Sequence, residues 1–509
     1  MPMDEPREAC GVAGVWQPAP RHGRAARLVR TMLLALQHRG EQSAGLAVVR
    51  DGALTRHVGS GRVEEALPAP DALPAGHGAI GHVRYATSGT RHARTETRAA
   101  LTLAQPVTAG APGRPALAVA HNGTLQETGG EPGEPDTVAL ARALHAAGGP
   151  LLDALCRVLP RVRGAYSLVL TDGQALFGVR DPHGFRPLCL GRAEETWLLA
   201  SETAALEAVG ARVVRELEPG EIVRADASGL SSTRLPVPPV PPSLCLFEYV
   251  YFARADSRIG ARDVHQARYE AGLALAAQAP PPDGAGGTRG AVVVAVPDTA
   301  RVAADGYAWA AGLPLVQGLL RHRGVGRSFL GGTAGEREAA VRAKLTAVPA
   351  ALAGRSVVLV DDSLVRGTTL ATVVAMVRAA GARGVHVRLA SPPHRWPCFY
   401  GIDTGRGDTL LAAEGAARVG GESGGDSDGA LTTWLAERLG CDSVGFLSLP
   451  ELLRTVNAGE PGAASHCTAC LDGRYPTPVP APLLNAGATE GRSLVRSEAS
   501  RSGREAEMG

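Results

Sequence analysis

An α+β domain followed by an open parallel α/β sheet is the fold class this sequence predicts, and three observations carry that expectation. Residues 10 to about 230 hold short apolar runs such as SLVLTD and ALFGVRD, broken by Gly, Pro and Asp turns, with a few helical patterns among them. From about residue 290 the runs become GAVVVAVPD, SVVLVDDS and GVHVRLASPP, continuous apolar strands alternating with helical stretches, the pattern of parallel strands buried on both faces. Between the two lies SSTRLPVPPVPPS, residues 231–243, whose prolines lack ladder donors and so mark an extended connection rather than more sheet.

Bulk properties bound what such a chain does. Its 509 residues are enough for two large domains, each with a core of its own. The 52 basic and 50 acidic side chains leave a formal charge of +2, so no global field favours nucleic acid or an anionic membrane, and any phosphate site must be local. No apolar stretch approaches the ~18 residues of a membrane span, and MPMDEPREA has neither the basic start nor the apolar middle of a secretory signal. A cytoplasmic protein is expected. Eight cysteines are too sparse for a disulfide scaffold, which leaves catalysis or metal binding to explain any cluster of them.

Taken in order, the first domain opens on REACGVAGVW, residues 7–16, a cysteine at the head of an apolar strand behind a short polar stub. A thiol of ordinary pKa, ~8.5, is mostly protonated at neutral pH and needs a base. Cleavage after Ala9 gives Cys10 its own: an α-amino group, pKa ~7.7–8.0, takes the thiol proton and returns it to a leaving amine. Residues 1–9 are then a propeptide; the plain alternative is a structural thiol buried in a strand. Next, ARLVRTMLLALQHRG reads as a helix ending at Gly40. Cys156 in LLDALCRVL, Cys189 in PLCLG and Cys441 in LGCDSVGFLSL read as packing residues.

In the second domain, SVVLVDDSLVRGTTLATV passes from a strand through two carboxylates into a loop and then a helix. Backbone N–H groups at that helix start, with the hydroxyls of Ser363, Thr368 and Thr369, make an anion site suited to a phosphate monoester. Asp361 and Asp362 face sugar hydroxyls or a hard cation; taken alone, the pair also reads as another enzyme's metal site or a capped, solvated turn. A second strand end, VAVPDTARVAADGYA, places Thr299 at the same crevice, with a helix cap as its simpler reading. Toward the end, HCTACLDGRYP holds Cys467 and Cys470, by themselves half a zinc site, a redox pair or part of an iron–sulfur centre. Two further cysteines, Cys245 in SLCLFEYVYFARADS and Cys398 in SPPHRWPCFYGIDT, are joined to this pair only through the resemblance drawn below; four thiolates would suit either zinc or a cubane. A closed four-thiolate site leaves no position for substrate and would be structural. VGGESGGDSDGA, residues 419–430, and the tail after about 477 are too polar and small to pack, and disorder is expected of both.

These motifs carry a resemblance. QHRGEQSAGLAV (37–48), GHVRYATSGT (81–90), AVAHNGTL (118–125) and GAYSLVL with GVRDPHGFRPL (164–188) resemble, in order, the glutaminase domain of amidotransferases with an N-terminal cysteine. VLVDDSLVRGTT resembles the signature of phosphoribosyltransferases, which bind 5-phosphoribosyl 1-diphosphate (PRPP) with magnesium. With the contexts of the four cysteines, residues 7–476 resemble the [4Fe–4S]-bearing branch of the amidophosphoribosyltransferases.

That resemblance implies an N-terminal-nucleophile (Ntn) αββα sandwich over 10–240, a phosphoribosyltransferase-type open parallel sheet over 241–476 and a disordered tail over 477–509. In the first domain it implies a thioester on Cys10, with the glutamine α-carboxylate on Arg84, whose guanidinium fork suits it. Asn122 side-chain N–H and Gly123 backbone N–H form the oxyanion hole, and Asp136 in EPDTVAL takes the α-ammonium, a helix-start charge being its other reading. The order Glu41-Gln42 departs from the family's glutamine-first pattern, and the segment from Asn122 to Asp136 is short. In the second domain it implies Mg2+ at Thr299, Asp361 and Asp362, and PRPP on Ser363, Arg366, Gly367, Thr368 and Thr369. An Arg- and Gly-rich loop, about 321–345, closes over PRPP and switches on the glutaminase. Lys344 is the single lysine among the 52 basic residues. As a compact charge that reaches phosphate without a guanidinium's bulk, it is expected on the diphosphate of the closed state, against the reading of a chance survivor on a solvated helix.

The four cysteines hold the cluster on this resemblance, with zinc as runner-up. Ammonia then replaces diphosphate at ribose C1, giving 5-phosphoribosylamine and glutamate, the step committing PRPP to purine synthesis. Purine-nucleotide feedback and a homo-oligomer, a tetramer, are implied by the family only. Two competing readings exist. A glucosamine 6-phosphate-forming amidotransferase has no use for VLVDDSLVRGTT, and a non-catalytic PRPP sensor needs a DNA-binding element that the chain does not display and has no use for Cys10.

Overall fold

The structure, a computed structural model, describes residues 10–18, 23–85, 103–111, 114–127, 130, 134–282, 290–322, 339, 341–402, 404, 410–419, 427–458 and 465–479. The expected propeptide, residues 86–90 of GHVRYATSGT, 323–338 of the closing loop, 420–426 of the polar insertion and the tail from 480 lie outside these residues.

Two antiparallel sheets build the first half. The strands are β1 (Gly11–Trp16), β2 (Ser43–Arg50), β3 (Ala53–Ser60), β4 (Gly78–Arg84), β5 (Val107–Ala111), β6 (Arg114–Glu127), β7 (Arg163–Thr171), β8 (Leu176–Arg180), β9 (Cys189–Ala193), β10 (Thr196–Ala200), β11 (Arg212–Glu216), β12 (Glu221–Asp226) and β13 (Gly229–Arg234). One sheet has the order β11-β9-β10-β1-β4-β2-β3, the other β13-β12-β8-β7-β6-β5. Their inner faces meet through Val12, Trp16 and Ile80 against Ala118, Ala120 and Val169. Helix α1 (Ala25–Ala35) covers the outer face of the first sheet, Val29 and Leu33 packing with Ala13 and Val15. Helices α2 (Asp136–Ala147) and α3 (Leu151–Val158) cover the second, Leu140, Leu144 and Leu155 packing with Leu168, Leu170 and Phe177. The result is the αββα sandwich. Every residue of β1 is buried, which is why GVAGVW reads as a continuous rather than an alternating apolar run. The connection differs from expectation at its start: Ser231–Arg234 belong to β13, because the first proline is Pro236 and these residues ahead of it keep their ladder donors.

Beyond the connection, β14 (Leu244–Cys245) precedes a small hairpin of β15 (Arg258–Ile259) and β16 (Arg262–Asp263). The second half is then built on β17 (Ala291–Ala295), β20 (Ser356–Asp361), β21 (Gly384–Leu389) and β22 (Ser443–Phe446), all parallel and in that order. A side hairpin of β18 (Leu319–Arg321) and β19 (Leu345–Ala347) stands between β17 and β20 in the chain, and β23 (His466–Cys467) returns to pair with β14. Alternate side chains of β17 enter opposite cores. Val293 packs on the side of helices α4 (Val264–Gln278) and α5 (Arg301–Ala311), Val292 and Val294 on the side of α6 (Thr368–Ala379). Helices α7 (Leu411–Arg418) and α8 (Ser427–Leu439) lie with α6, and α9 (Leu449–Asn457) with α4. Residues 427–430 of the polar insertion are helical, contrary to the expected disorder, because Leu431 and Leu435 one turn apart bury the helix they begin.

A buried ion network joins the halves. Arg39 donates to both Glu202 and Glu248, Arg186 donates to Glu248 at 3.1 Å, and none of the four is more than 2% exposed. Burial by itself would lower the pKa of Arg39, but Glu248 and Glu202 hold it above its ordinary value. No helix among the described residues is long and apolar enough to cross a membrane.

Candidate functional site

The antiparallel register of β1 and β4, Gly11 opposite Val83, brings Cys10 and Arg84 together one step further on. Cys10 is 7% exposed, its Sγ 3.5 Å from the carbonyl of Tyr85. Burial pushes the thiol up, Arg84 draws it back, and Asp136 adds to the rise; Arg84 in turn is lowered by burial while Cys10 and Asp136 oppose that. A cation and a carboxylate thus stand in electrostatic reach of the thiol, on residues that sequence alone separates widely. Asp136 begins α2, as its helix-start reading expects. Its Oδ1 accepts the N–H of Thr137 at 2.7 Å, at the helix start, while Oδ2 accepts the N–H of Leu125 on β6 at 3.0 Å.

Asn122 is fully buried on β6, and neither its Nδ2 nor its Oδ1 has a hydrogen-bond partner among the described residues. An unmet buried amide costs roughly 1–3 kcal/mol, so packing does not account for it. Gly123 has φ +143°, and a Cβ there would stand 2.0 Å from the carbonyl oxygen of Ala165, so no other residue fits. Sequence reasoning missed the scaffold behind this pair. His121 accepts the strand into a network: its N–H donates to Gln105 Oε1 at 2.7 Å, Nδ1 lies 3.1 Å from Thr137 Oγ1, and Nε2 lies 3.2 Å from the Ala165 carbonyl. His82 Nε2 donates to the His121 carbonyl at 3.0 Å. Burial lowers the pKa of both rings, that of His82 to about 3. The histidine of AVAHNGTL was the one visible signal. At the Glu41-Gln42 departure, Gln42 N–H donates to the Arg84 carbonyl at 3.1 Å, tying that turn to the end of β4.

At the carboxyl end of the parallel sheet, Thr299, Asp361, Asp362, Ser363, Gly367 and Thr369 line an open cleft. Asp362 is the more buried carboxylate; it accepts from Thr299 Oγ1 and, at 2.7 Å, from Ser363 Oγ. Gly367 has φ +80°, and a Cβ there would meet Leu411 Cδ2 at 2.3 Å, so the loop turns into α6 only with glycine at that position. Arg366 is half-buried and Thr368 exposed beside it. Lys344, half-buried, ends the helical residues 341–344, and its carbonyl accepts the N–H of His322 at 2.8 Å, joining the two stems of the expected closing loop. Arg321 Nη1 meets Asp298 Oδ2 at 2.7 Å, next to Thr299, a pair that the sequence did not announce.

The four expected metal-binding cysteines lie in one region of the structure, near enough to influence one another electrostatically. Cys245 lies in register with Cys467 where β14 pairs with β23; Cys245, Cys467 and Cys470 are buried, Cys398 is half-buried, and none forms a disulfide. Burial first, then their mutual proximity, raises the thiols of Cys467 and Cys470 well above the ordinary value. Cys245 is also raised by burial, against the pull of Arg186. Among the described residues, no three His, Cys, Asp or Glu side chains are grouped closely enough to hold one metal ion.

An αββα sandwich joined to a parallel sheet with a cleft at its strand ends defines the class: a glutamine amidotransferase domain of the Ntn type carried with a phosphoribosyltransferase-type domain. Residues 105–208 match the family model for a glutamine amidotransferase domain. Over 94% of its length the chain is 38% identical to the amidophosphoribosyltransferase of Mycobacterium tuberculosis, covering 88% of that protein. It is similar, at 36% identity and a TM-score of 0.78, to the glutamine PRPP amidotransferase of Bacillus subtilis complexed with ADP and GMP, over 93% of this chain and 98% of that one. A second structure, described as the allosteric regulatory enzyme of purine biosynthesis, gives a TM-score of 0.79 at 35% identity over 94% and 100%. The chain belongs to the amidophosphoribosyltransferase family, glutamine-dependent glycosyltransferases.

Proposed function

We propose that this chain converts glutamine, PRPP and water to 5-phospho-β-D-ribosylamine, glutamate and diphosphate, the first committed step of de novo purine synthesis. The observation that carries the reading is Asn122, a fully buried amide without a partner, on the strand that Asp136 ties to the surroundings of Cys10 and Arg84. Removal of residues 1–9 frees the α-amine of Cys10, which takes the thiol proton as Sγ attacks the glutamine side-chain carbonyl carbon. The oxyanion forms between Asn122 Nδ2–H and the Gly123 N–H, ammonia leaves with the returned proton, and water hydrolyses the thioester to glutamate. Arg84 holds the α-carboxylate and Asp136 the α-ammonium.

In the second domain ammonia displaces diphosphate at ribose C1. Ser363, Thr368 and Thr369 with the amino end of α6 hold the 5-phosphate, Arg366 and Gly367 complete the loop, and Lys344 meets the diphosphate on closure. No base is required, since catalysis there is positioning and charge stabilisation. Thr299, Asp361 and Asp362 would hold Mg2+; their donors are all oxygen, which fits, and the ion would neutralise diphosphate charge. Cys245, Cys398, Cys467 and Cys470 would hold a [4Fe–4S] cluster in a structural role, placing the chain in the iron–sulfur branch. Four unoxidised thiols in one region support a thiolate-held centre, which in chemistry suits either zinc or a cubane; the choice of a cluster rests on the contexts of the four cysteines. The ADP and GMP in the Bacillus subtilis structure support purine-nucleotide feedback here, and a homotetramer is the assembly we propose.

The test is glutamate release from glutamine by protein purified without oxygen, with and without Mg-PRPP, with iron and sulfide measured per chain. Release that rises sharply with PRPP establishes both sites and their coupling and excludes the sensor and the glucosamine-type readings. No release from a chain whose amino terminus is Cys10 refutes the amidotransferase chemistry.

A further inference from the structure

We propose that Arg186 is a positioning residue for glutamine hydrolysis: from the junction with the second half it clamps Tyr400, so that Gly401 backs the Gly123 peptide and the donors at Asn122 and Gly123 stay aimed. The inference rests on the reading of Asn122 and Gly123 as the oxyanion donors. Arg186 has no exposed surface, and two of its guanidinium nitrogens, Nε and Nη2, donate to the Tyr400 carbonyl at 3.2 and 2.9 Å. Its remaining nitrogen, Nη1, donates to Glu248 at 3.1 Å, and Glu248 is itself held by Arg39. Tyr400 is fixed from two further directions. Its N–H donates to Cys398 Sγ at 3.3 Å, and its ring stacks on Phe185 with centroids 4.2 Å apart.

The next residue, Gly401, has φ +111°, and a Cβ there would lie 3.1 Å from Gly123 Cα, from Gly123 C and from Arg186 Nη2. The Gly123 backbone is therefore closely approached both by the Ala165 carbonyl and by Gly401. Asn122 is reached from the same residue: Ser167, its partner in the β6–β7 register, donates Oγ–H to the Arg186 carbonyl at 3.0 Å. One residue thus braces both donors, its backbone behind Asn122 and its side chain behind Gly123. Donors of this kind act only where the charge develops, and a displacement of about 1 Å costs on the order of 100-fold in rate. A rigid planar fork suits that duty, and lysine, a point charge, cannot grip one carbonyl with two nitrogens. Because Cys398 also holds Tyr400, the cysteine centre is part of the same brace.

Arg186→Lys and Ser167→Ala test the inference in the full chain, purified without oxygen. The readouts are kcat and KM for glutamine with Mg-PRPP present, amination of PRPP supplied with free ammonia, iron per chain, and the thermal midpoint. In Arg186→Lys, glutamine kcat falls about 10- to 100-fold, less than the loss of a whole oxyanion donor. Its glutamine KM and ammonia-supported rate stay within about twofold, the signature of an interaction made in the transition state. Ser167→Ala shows the same split, at about 3- to 10-fold. The inference is overturned if Arg186→Lys keeps its glutamine kcat within about twofold, or loses glutamine- and ammonia-supported rates in parallel as a purely structural residue would. Should Arg186→Lys not be isolable folded, Ser167→Ala decides alone: the kcat-only split supports the clamp and an unchanged kcat overturns it. A wild-type chain that releases no glutamate refutes the parent reading and this inference with it, whereas an active wild type with indifferent variants refutes the clamp alone.

Discussion

Acidification should destabilise this protein through histidines that its packing keeps neutral. His82 has no exposed surface, donates Nε2–H to the His121 carbonyl, and has no partner for Nδ1 among the described residues; burial lowers its pKa to about 3. His394 is equally buried and packs edge-on to Phe247 with centroids 5.3 Å apart; burial lowers it to about 4, against a smaller upward pull from the Trp396 backbone. In the unfolded chain both rings titrate near ~6.5. Below that pH the unfolded state binds protons that the folded state refuses, so stability is lost as pH falls from about 6.5 toward 4. Going from pH 7.5 to 5.5, each ring costs about 1.4 kcal/mol, and the two together about 3 kcal/mol. Asp181 acts with the opposite sign. Buried, with its pKa raised to about 6, it binds a proton in the folded state that an unfolded carboxyl does not, which offsets about 1 kcal/mol over the same interval. His466, lowered by burial to about 4, and His121, also lowered by burial, add to the loss, so the net expectation is at least about 3 kcal/mol, read by urea unfolding at the two pH values and constant ionic strength. His394→Leu should recover about 1.4 kcal/mol of that loss. Equal stability at both pH values, or a His394→Leu variant with the full wild-type slope, would refute burial as its source.

Three further outcomes are expected. Asn122→Ala should lower kcat for glutamine hydrolysis by about 10²- to 10³-fold with little change in glutamine KM, ammonia-supported amination persisting; a loss under about tenfold contradicts the oxyanion role. Lys344→Arg should raise the KM for PRPP or lower kcat, because a guanidinium does not replace a compact charge on a diphosphate, and unchanged constants show the lysine to be incidental. Gly367→Ala places a methyl 2.3 Å from Leu411 Cδ2 at φ +80°, so it should destabilise the second half by roughly 1–3 kcal/mol and weaken PRPP binding; calorimetry showing wild-type affinity would remove the loop's turn from the site.

How far the sequence could be read follows from how local each feature is. VDDSLVRGTT is legible because one strand end, one turn and one helix start are contiguous, and Gly367 sits where the turn needs a positive φ. The cysteine at the head of GVAGVW is legible because its chemistry depends on its own backbone amine once the stub is gone. The start of the connection lies a few residues later than the sequence suggests, after Ser231–Arg234, since a proline's effect on a ladder begins at the proline. Residues 427–430 were misjudged because a polar helix start is stabilised by Leu431 and Leu435, whose burial composition does not reveal.

The sequence by itself determined the two kinds of sheet, the order of the motifs and the chemical types at Cys10, Arg84, Asn122, Asp361 and Asp362, because periodicity, turn residues and functional groups are written along the chain. Only the tertiary structure decided that Asn122 is left without a partner, that Asp136 is tied to Leu125, and that four cysteines from distant segments share one region. The same holds for Arg186 and Tyr400, 214 residues apart, whose hydrogen bond depends on how the sandwich seats against the parallel sheet. No local pattern encodes that placement: it is settled by which apolar faces pack and which buried charges find partners, and both are properties of the closed fold.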